Sequence, residues 1–409
     1  MSRFAIVNAN IITPIDINSP SKGENQGNVM QVKHMLVEDG FIKLLTNDFG
    51  VLPECETIDL KGALVTPGLI DPHTHLVHGG SREREIPLKL QGASYMEIHH
   101  AGGGINSTVI ATRRSSKSQL KEKALEDLKH MLSLGVTTVE SKSGYGLNLE
   151  DEIKTLEVSN ELDDIQSLDI VHTFMGAHSI PQEYKQDSQR FIDLVTNEMM
   201  PLIKDRKLAE FCDVFCEDGV FDVEQSRNIL QKAKEFGFKL KIHADEIVSI
   251  GGAELAAELN AISADHLMAV SKQGIRDLAK SNVIAVLLPG TSFYLGKNYA
   301  PAREMIANNV PIALASDFNP GSCPSDNFQF IMNLGYLYLR MKPEEVLTAC
   351  TLNAAYAIDR ASDRGSLTEG KIADFVVWNS ENLEYLMYRF GKNHVKQVWK
   401  DGKKVYEGN

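Results

Sequence analysis

The hydrophobic positions of the chain follow two rhythms. Between about residues 67 and 365, short apolar runs ending on polar residues alternate with stretches of helical period, the signature of parallel βα units. The runs fall at 69–71, 137–140, 169–174, 212–215, 239–243, 262–266, 283–288 and 311–317. Amphipathic stretches at 119–134, 224–236 and 252–259 lie between them. A series of about eight such units predicts a closed (β/α)8, TIM-like barrel. A doubly wound open sheet is the alternative, but no Gly-x-Gly-x-x-Gly turn follows the first strand.

Both ends of the chain read as β structure instead. Segments 4–13 and 35–45 are rich in aliphatic and β-branched residues, with Asp39-Gly40 as a hairpin turn. The polar stretch 18–28 reads as an exposed loop. Near the other end, 373–378 reads as a strand and 395–406 as a hairpin turning at Asp401-Gly402. Neither end carries enough strands for a stable sheet alone. The expectation is one small β-sandwich domain built from 1–66 and 366–409, with the barrel, 67–365, inserted between them.

Composition narrows the function. The 409 residues carry a formal net charge of −13, which argues against a nucleic-acid-binding surface. The first residues run straight into a strand-like segment with no leader pattern, and no apolar stretch approaches bilayer length. A cytoplasmic protein without a membrane role is expected. Five scattered cysteines do not form a disulfide framework. Cys212 and Cys216 have a metal-like spacing, but they sit in an alternating strand pattern with no second pair nearby, so structural thiols are expected.

Histidines collect where barrel chemistry happens. Residues at the C-terminal ends of barrel strands converge on one mouth. His73 and His75 close the first run, His178 follows the third, His243 ends the fifth, His266 the sixth and Asp317 the eighth. In an extended His-x-His both side chains point to one side, so His73 and His75 can share an ion. Several imidazoles and a carboxylate aimed at one cavity suit a transition-metal site. Taken singly, each has a plainer reading: solvated loop histidines, a core histidine at 243, a capping Asp at 317. Gly102-Gly103-Gly104 lacks the Gly-Lys-Ser/Thr ending of a phosphate loop and reads as a mobile loop able to close over a ligand.

These residues resemble the amidohydrolase superfamily and, within it, the imidazolonepropionase family of histidine degradation. The matching segments include Asp71-Pro-His-Thr-His75 through Arg82, Ser-Gly-Tyr-Gly ending at Gly146, His243-Ala-Asp-Glu246, Ala264-Asp-His266 and Ser316-Asp-Phe-Asn-Pro-Gly-Ser322. The similarity spans nearly the whole chain. It implies one Zn2+ or Fe3+ per subunit, held by His73, His75, His243 and Asp317. It implies substrate contacts from Arg82, Tyr145, His178, Glu246, Asn319, Gly321 and Ser322, with His266 beside the reacting water. The implied reaction opens the ring amide of 4-imidazolone-5-propanoate to N-formimidoyl-L-glutamate. In it, His266 and Asp317 move protons, His178 steadies the developing oxyanion, Glu246 holds the ring's N–H edge and Arg82 makes a paired contact to the propanoate. A homodimer is implied as well. His78 and Ser316 depart from the usual residues without removing a ligand. Lys142 leaves open a second ion bridged by a carboxylated lysine. Two other readings stay open: an aminohydrolase deaminating a nucleobase-like ring, and a barrel that has lost its chemistry.

Overall fold

The computed structural model describes residues 3–92 and 103–408. Eight parallel strands follow one another around a single sheet in strict chain order: β1 (Leu69–Thr74), β2 (Val136–Lys142), β3 (Asp169–Ala177), β4 (Phe211–Cys216), β5 (Lys239–Ala244), β6 (Ser263–His266), β7 (Ile284–Leu287) and β8 (Ile312–Leu314). The three amphipathic stretches form helices Lys117–Ser133, Val223–Glu235 and Gly252–Leu259. Nearly every residue of the strands is buried, because helices cover the outside of the barrel and side chains fill its inside.

The ring closes between β1 and the residues after β8. The His75 N–H donates to the Phe318 carbonyl at 2.9 Å, and the Asp317 N–H to that of His73 at 3.1 Å. Asp71 adds a side-chain tie, accepting from the Ser316 backbone at 3.0 Å and its hydroxyl at 2.5 Å. The fold is a TIM-like barrel.

A separate β sandwich flanks it. One sheet has the order Phe41–Thr46, His34–Glu38, Arg3–Val7, Glu56–Asp59. The other runs Lys403–Glu407, Val395–Lys400, Phe375–Trp378, Leu64–Pro67, Asn10–Pro14, Val29–Val32. Ile6, Val37, Val65, Phe375 and Val377 share one buried core drawn from both ends of the chain. Both hairpin turns form as read, with positive φ at Asp39, Gly40, Asp401 and Gly402.

One expectation is sharpened and one corrected. Segment 4–13 is two strands in two sheets, because Asn8 (φ +51°) breaks the extended path between them. Segment 18–28 is not an exposed loop throughout: Ser21 and Gln26 are buried. The Gln26 amide donates to the Ile312 carbonyl at 3.3 Å and accepts from its N–H at 3.2 Å, doing for the start of β8 what a neighbouring strand would do. Cys212 and Cys216 are buried free thiols among the apolar groups outside β4. The expected closing loop at Gly102-Gly103-Gly104 begins on residue 102, outside the described residues. Gly104 itself precedes helix Ile105–Arg114 at φ +76°.

Candidate active site and metal centre

The strand ends bring the histidines together. His73, His75 and Asp317 each offer a ligand atom within 4.8 Å of the others, and so do His73, His243 and His266. His73 belongs to both groups. The His75 and His243 rings lie 5.6 Å apart between centroids, so the four residues expected to hold an ion face one space. His266 adjoins it at the end of β6, at φ +77°, its ring 5.0 Å from that of His243.

The backs of two imidazoles are fixed. His73 Nδ1 donates to Asp265 Oδ2 at 2.6 Å, and His243 Nδ1 to Asp213 Oδ1 at 3.1 Å. A carboxylate can only accept, so each ring carries a proton on Nδ1 and turns its Nε2 into the site. Both Nε2 atoms are buried without a hydrogen-bond partner, as are His75 Nδ1 and both nitrogens of His266. Burial first, and then neighbouring imidazoles and the Lys142 ammonium, hold His73, His75 and His266 well below the usual imidazole range. Neutral rings are the form that binds metal.

Asp317 sits at φ +56°. Its Oδ2 accepts from Thr291 at 2.5 Å and from Ser322 at 3.1 Å, which leaves Oδ1 facing His73 Nε2 at 3.5 Å and His75 Nε2 at 3.8 Å. Burial pushes its carboxyl up to about 6 against those hydrogen bonds. Glu246 lies 3.6 Å from His266 Nε2. Burial, with Asp317 and Glu217 nearby, pushes Glu246 up to about 8.

The remaining predicted residues ring this space, not all as expected. His178 stacks on His75 at 4.7 Å, its Nδ1 donating to the Gly144 carbonyl at 3.0 Å. Burial pushes it down to about 3, so the ring is neutral. Tyr145 is buried, 5.2 Å from the His178 ring and 5.6 Å from that of His75. Arg82 has its fork taken: Nε and Nη2 donate to the two Glu85 oxygens at 2.8 and 2.9 Å. Its Nη1 approaches Gly321 so closely that a Cβ there would lie 2.1 Å away, so any side chain at 321 would push the guanidinium aside. Asn319 is turned into its own loop, donating to Ser322 Oγ at 2.8 Å and accepting from the Gly321 and Ser322 N–H groups.

Sequence reading missed the layer beneath. Lys142 Nζ donates to Glu140 at 3.0 Å and Asp213 at 2.8 Å, and lies 3.5 Å from Asp265. Lys241 donates to Glu140 at 2.6 Å and to the Pro72 carbonyl at 3.1 Å. Burial opposes the charge on Lys142, yet Asp213, Glu140 and Asp265 together raise its pKa. Its Nζ is thus engaged by three carboxylates in this arrangement. The available signal was the period-two alternation of Glu140 with Lys142 and of Lys241 with His243, which puts each pair on one strand face.

Comparison with known proteins gives the class. The sequence profile of the amidohydrolase family matches residues 64–405, and the chain belongs to that family. Within it, the chain is 54% identical over 384 residues to the imidazolonepropionase of Fusobacterium nucleatum, covering 94% of this chain and 92% of that protein. It is 53% identical over 401 residues to the imidazolonepropionase of Alkaliphilus oremlandii, covering 95% and 94%. Among solved structures, E. coli guanine deaminase superposes with a TM-score of 0.73 over 100% of both chains, at 15% identity. At that identity the likeness shows the fold alone. The family implies a metal ion. Orphaned, unprotonated imidazole nitrogens beside a carboxylate oxygen are the donor set such an ion takes.

Proposed function

We propose that this chain hydrolyses the ring amide of 4-imidazolone-5-propanoate, giving N-formimidoyl-L-glutamate. The observation that carries the reading is identity above half to imidazolonepropionases over nearly the full length of both chains, joined to a donor cluster at the barrel mouth.

His73, His75, His243 and Asp317 would hold one ion, Zn2+ or Fe3+. When bound, the ion makes a nearby water acidic enough to attack at neutral pH and polarises the carbonyl. His266 has both ring nitrogens free, and Asp317 keeps one oxygen open toward the histidines. They are the groups that take the proton of the attacking water and deliver it to the ring nitrogen as its bond to the carbonyl carbon breaks. His178, neutral and with its Nδ1–H given to Gly144, turns an accepting Nε2 toward the same space, where it would take a hydrogen bond from the substrate or the attacking water. Glu246 meets the ring's nitrogen edge. The Arg82 fork is held by Glu85, so the free Nη1 edge beside Gly321 is what the propanoate would meet. Asn319 and Ser322 shape that wall, and Tyr145 lies beside His75 and His178.

The same reading divides the chain at 66/67 and 365/366 and describes a cytoplasmic homodimer, which sedimentation equilibrium of the purified protein checks for its assembly. Among the described residues no helix is long and apolar enough to cross a membrane. The deciding experiment is turnover of imidazolone propanoate by the metal-loaded protein, with formimidoyl-glutamate identified by mass. An active-site-titrated preparation that leaves the substrate intact rejects the assignment.

A further inference from the structure

Five ionisable side chains lie fully buried directly beneath the histidines: Glu140, Lys142, Asp213, Lys241 and Asp265. Taking such groups out of water is costly, and apolar packing of equal volume is often as stable or more so. Stability therefore does not explain the cluster. Its wiring does. Asp213 holds the back of His243 and Asp265 the back of His73. These carboxylates come from different strands, β4 and β6, and serve histidines on β5 and β1. One ammonium, from β2, lies between them: Lys142 Nζ is 2.8 Å from Asp213 Oδ2 and 3.5 Å from the same Asp265 oxygen that takes the His73 proton.

We propose that Lys142 is a positioning residue that ties Asp213 and Asp265 into one unit, so that His243 and His73 are aimed together at the ion. The inference rests on the metal reading of this site given above. Without the ammonium, two carboxylates face each other across a dry space, and each is free to turn its imidazole independently. With it, rotation of one carboxylate pulls on the other through a shared partner. Lys241 does not make this tie: its Nζ is held by Glu140 and the Pro72 carbonyl, and among the described residues no ion pair joins it to Asp213 or Asp265.

The test measures the rate at which a chromophoric chelator extracts zinc from the loaded protein, for wild type, D213N, D265N, the D213N/D265N pair and the same set combined with K142M. Groups that orient a metal-bound histidine change affinity by about ten- to a hundredfold. K142M is expected to release zinc at least about tenfold faster. D213N and D265N should together do less than the product of their separate effects, and their effects should multiply once K142M is added. A folded K142M that releases zinc at the wild-type rate, or the same non-additivity with and without Lys142, overturns the inference. Should K142M not fold, K142M/D213N keeps the formal charge of the buried cluster; since D213N already breaks the tie, release equal to that of D213N is expected, and a further gain of about tenfold over D213N overturns the inference. A wild-type chain that takes up no zinc overturns the metal site itself, a result distinct from zinc uptake that K142M leaves unchanged.

Discussion

Arg82 and Glu85 meet fork to fork, Nε to Oε1 at 2.8 Å and Nη2 to Oε2 at 2.9 Å, one turn apart at the rim of the barrel mouth. Glu85 also accepts from the Gly104 N–H at 2.7 Å, so the guanidinium is aligned before any substrate arrives. Arg82→Ala should raise KM for imidazolone propanoate about thirtyfold, the loss of a charged hydrogen bond of about 2 kcal/mol, with a smaller change in kcat. Arg82→Lys should not restore it, since one ammonium cannot fill the Glu85 fork and also reach Gly321. Steady-state kinetics decide; unchanged KM and kcat in Arg82→Ala remove the residue from tail binding.

Chelation tests the ion. Dialysis against a strong chelator should abolish turnover, and zinc or iron should restore it. Elemental analysis should find one equivalent per chain in active protein. Full activity in protein shown to be metal-free would end the mechanism.

Glu152 supports Tyr145 from below. Its buried carboxylate accepts from the N–H groups of Gly144, Gly146 and Leu147 at 3.1, 2.8 and 2.8 Å, folding the loop that carries the tyrosine. Glu152→Ala leaves three buried donors unpaired and should destabilise the protein by roughly 3 kcal/mol or more, with activity falling alongside. Glu152→Gln, which keeps an accepting oxygen, should recover part of both. Denaturant unfolding reads the effect, and a wild-type midpoint in Glu152→Ala would contradict it.

His172 gives a pH signature away from the site. It is buried in β3 beside the Ser159 hydroxyl at 3.0 Å, and burial pushes it down to about 4, with Arg360 adding to the shift and Glu210 opposing it. Between about pH 6.5 and 4 the unfolded chain binds the proton and the folded chain does not, so stability rises with pH through that window. The contribution is whole above about 6.5 and fades as pH falls. In metal-free protein, His172→Gln should lose stability less steeply than wild type over that range. Parallel urea-midpoint curves for the two would refute this.

Much of this was legible in the sequence because buried parallel strands read as apolar runs and their ends announce chemistry. His73, His243 and His266 each closed such a run. What stayed hidden was polarity inside the runs. Asp213 lies in Phe-Cys-Asp-Val-Phe-Cys, where one acid among apolar residues looks like an interruption and is in fact the partner of His243. Lys142 was singled out for a second ion, but the three carboxylates gathered around its Nζ were not foreseen. Arg82 lies beside Gly321, but Glu85, three residues on, was not recognised as its partner, because nothing in an Arg-Glu-Arg-Glu stretch says which charges turn inward. The split at Asn8 was invisible for a similar reason: a single left-handed residue inside an apolar run changes the sheet without changing the pattern.

The way the ring of strands is joined has one more consequence. Every other neighbouring pair of strands is stitched along its length, but β1 and the segment after β8 meet through a few bonds at Asp71, His73, His75 and Asp317. Three of the four proposed ligands stand at that seam, His73 and His75 on one lip and Asp317 on the other, while His243 reaches in from β5. An ion bound there is a buckle as well as a reagent: it fastens the first turn of the barrel to the last. Backbone amides on either lip should exchange with deuterium fastest when the buckle is undone, while β3 and β4, which carry none of the proposed ligands, stay protected.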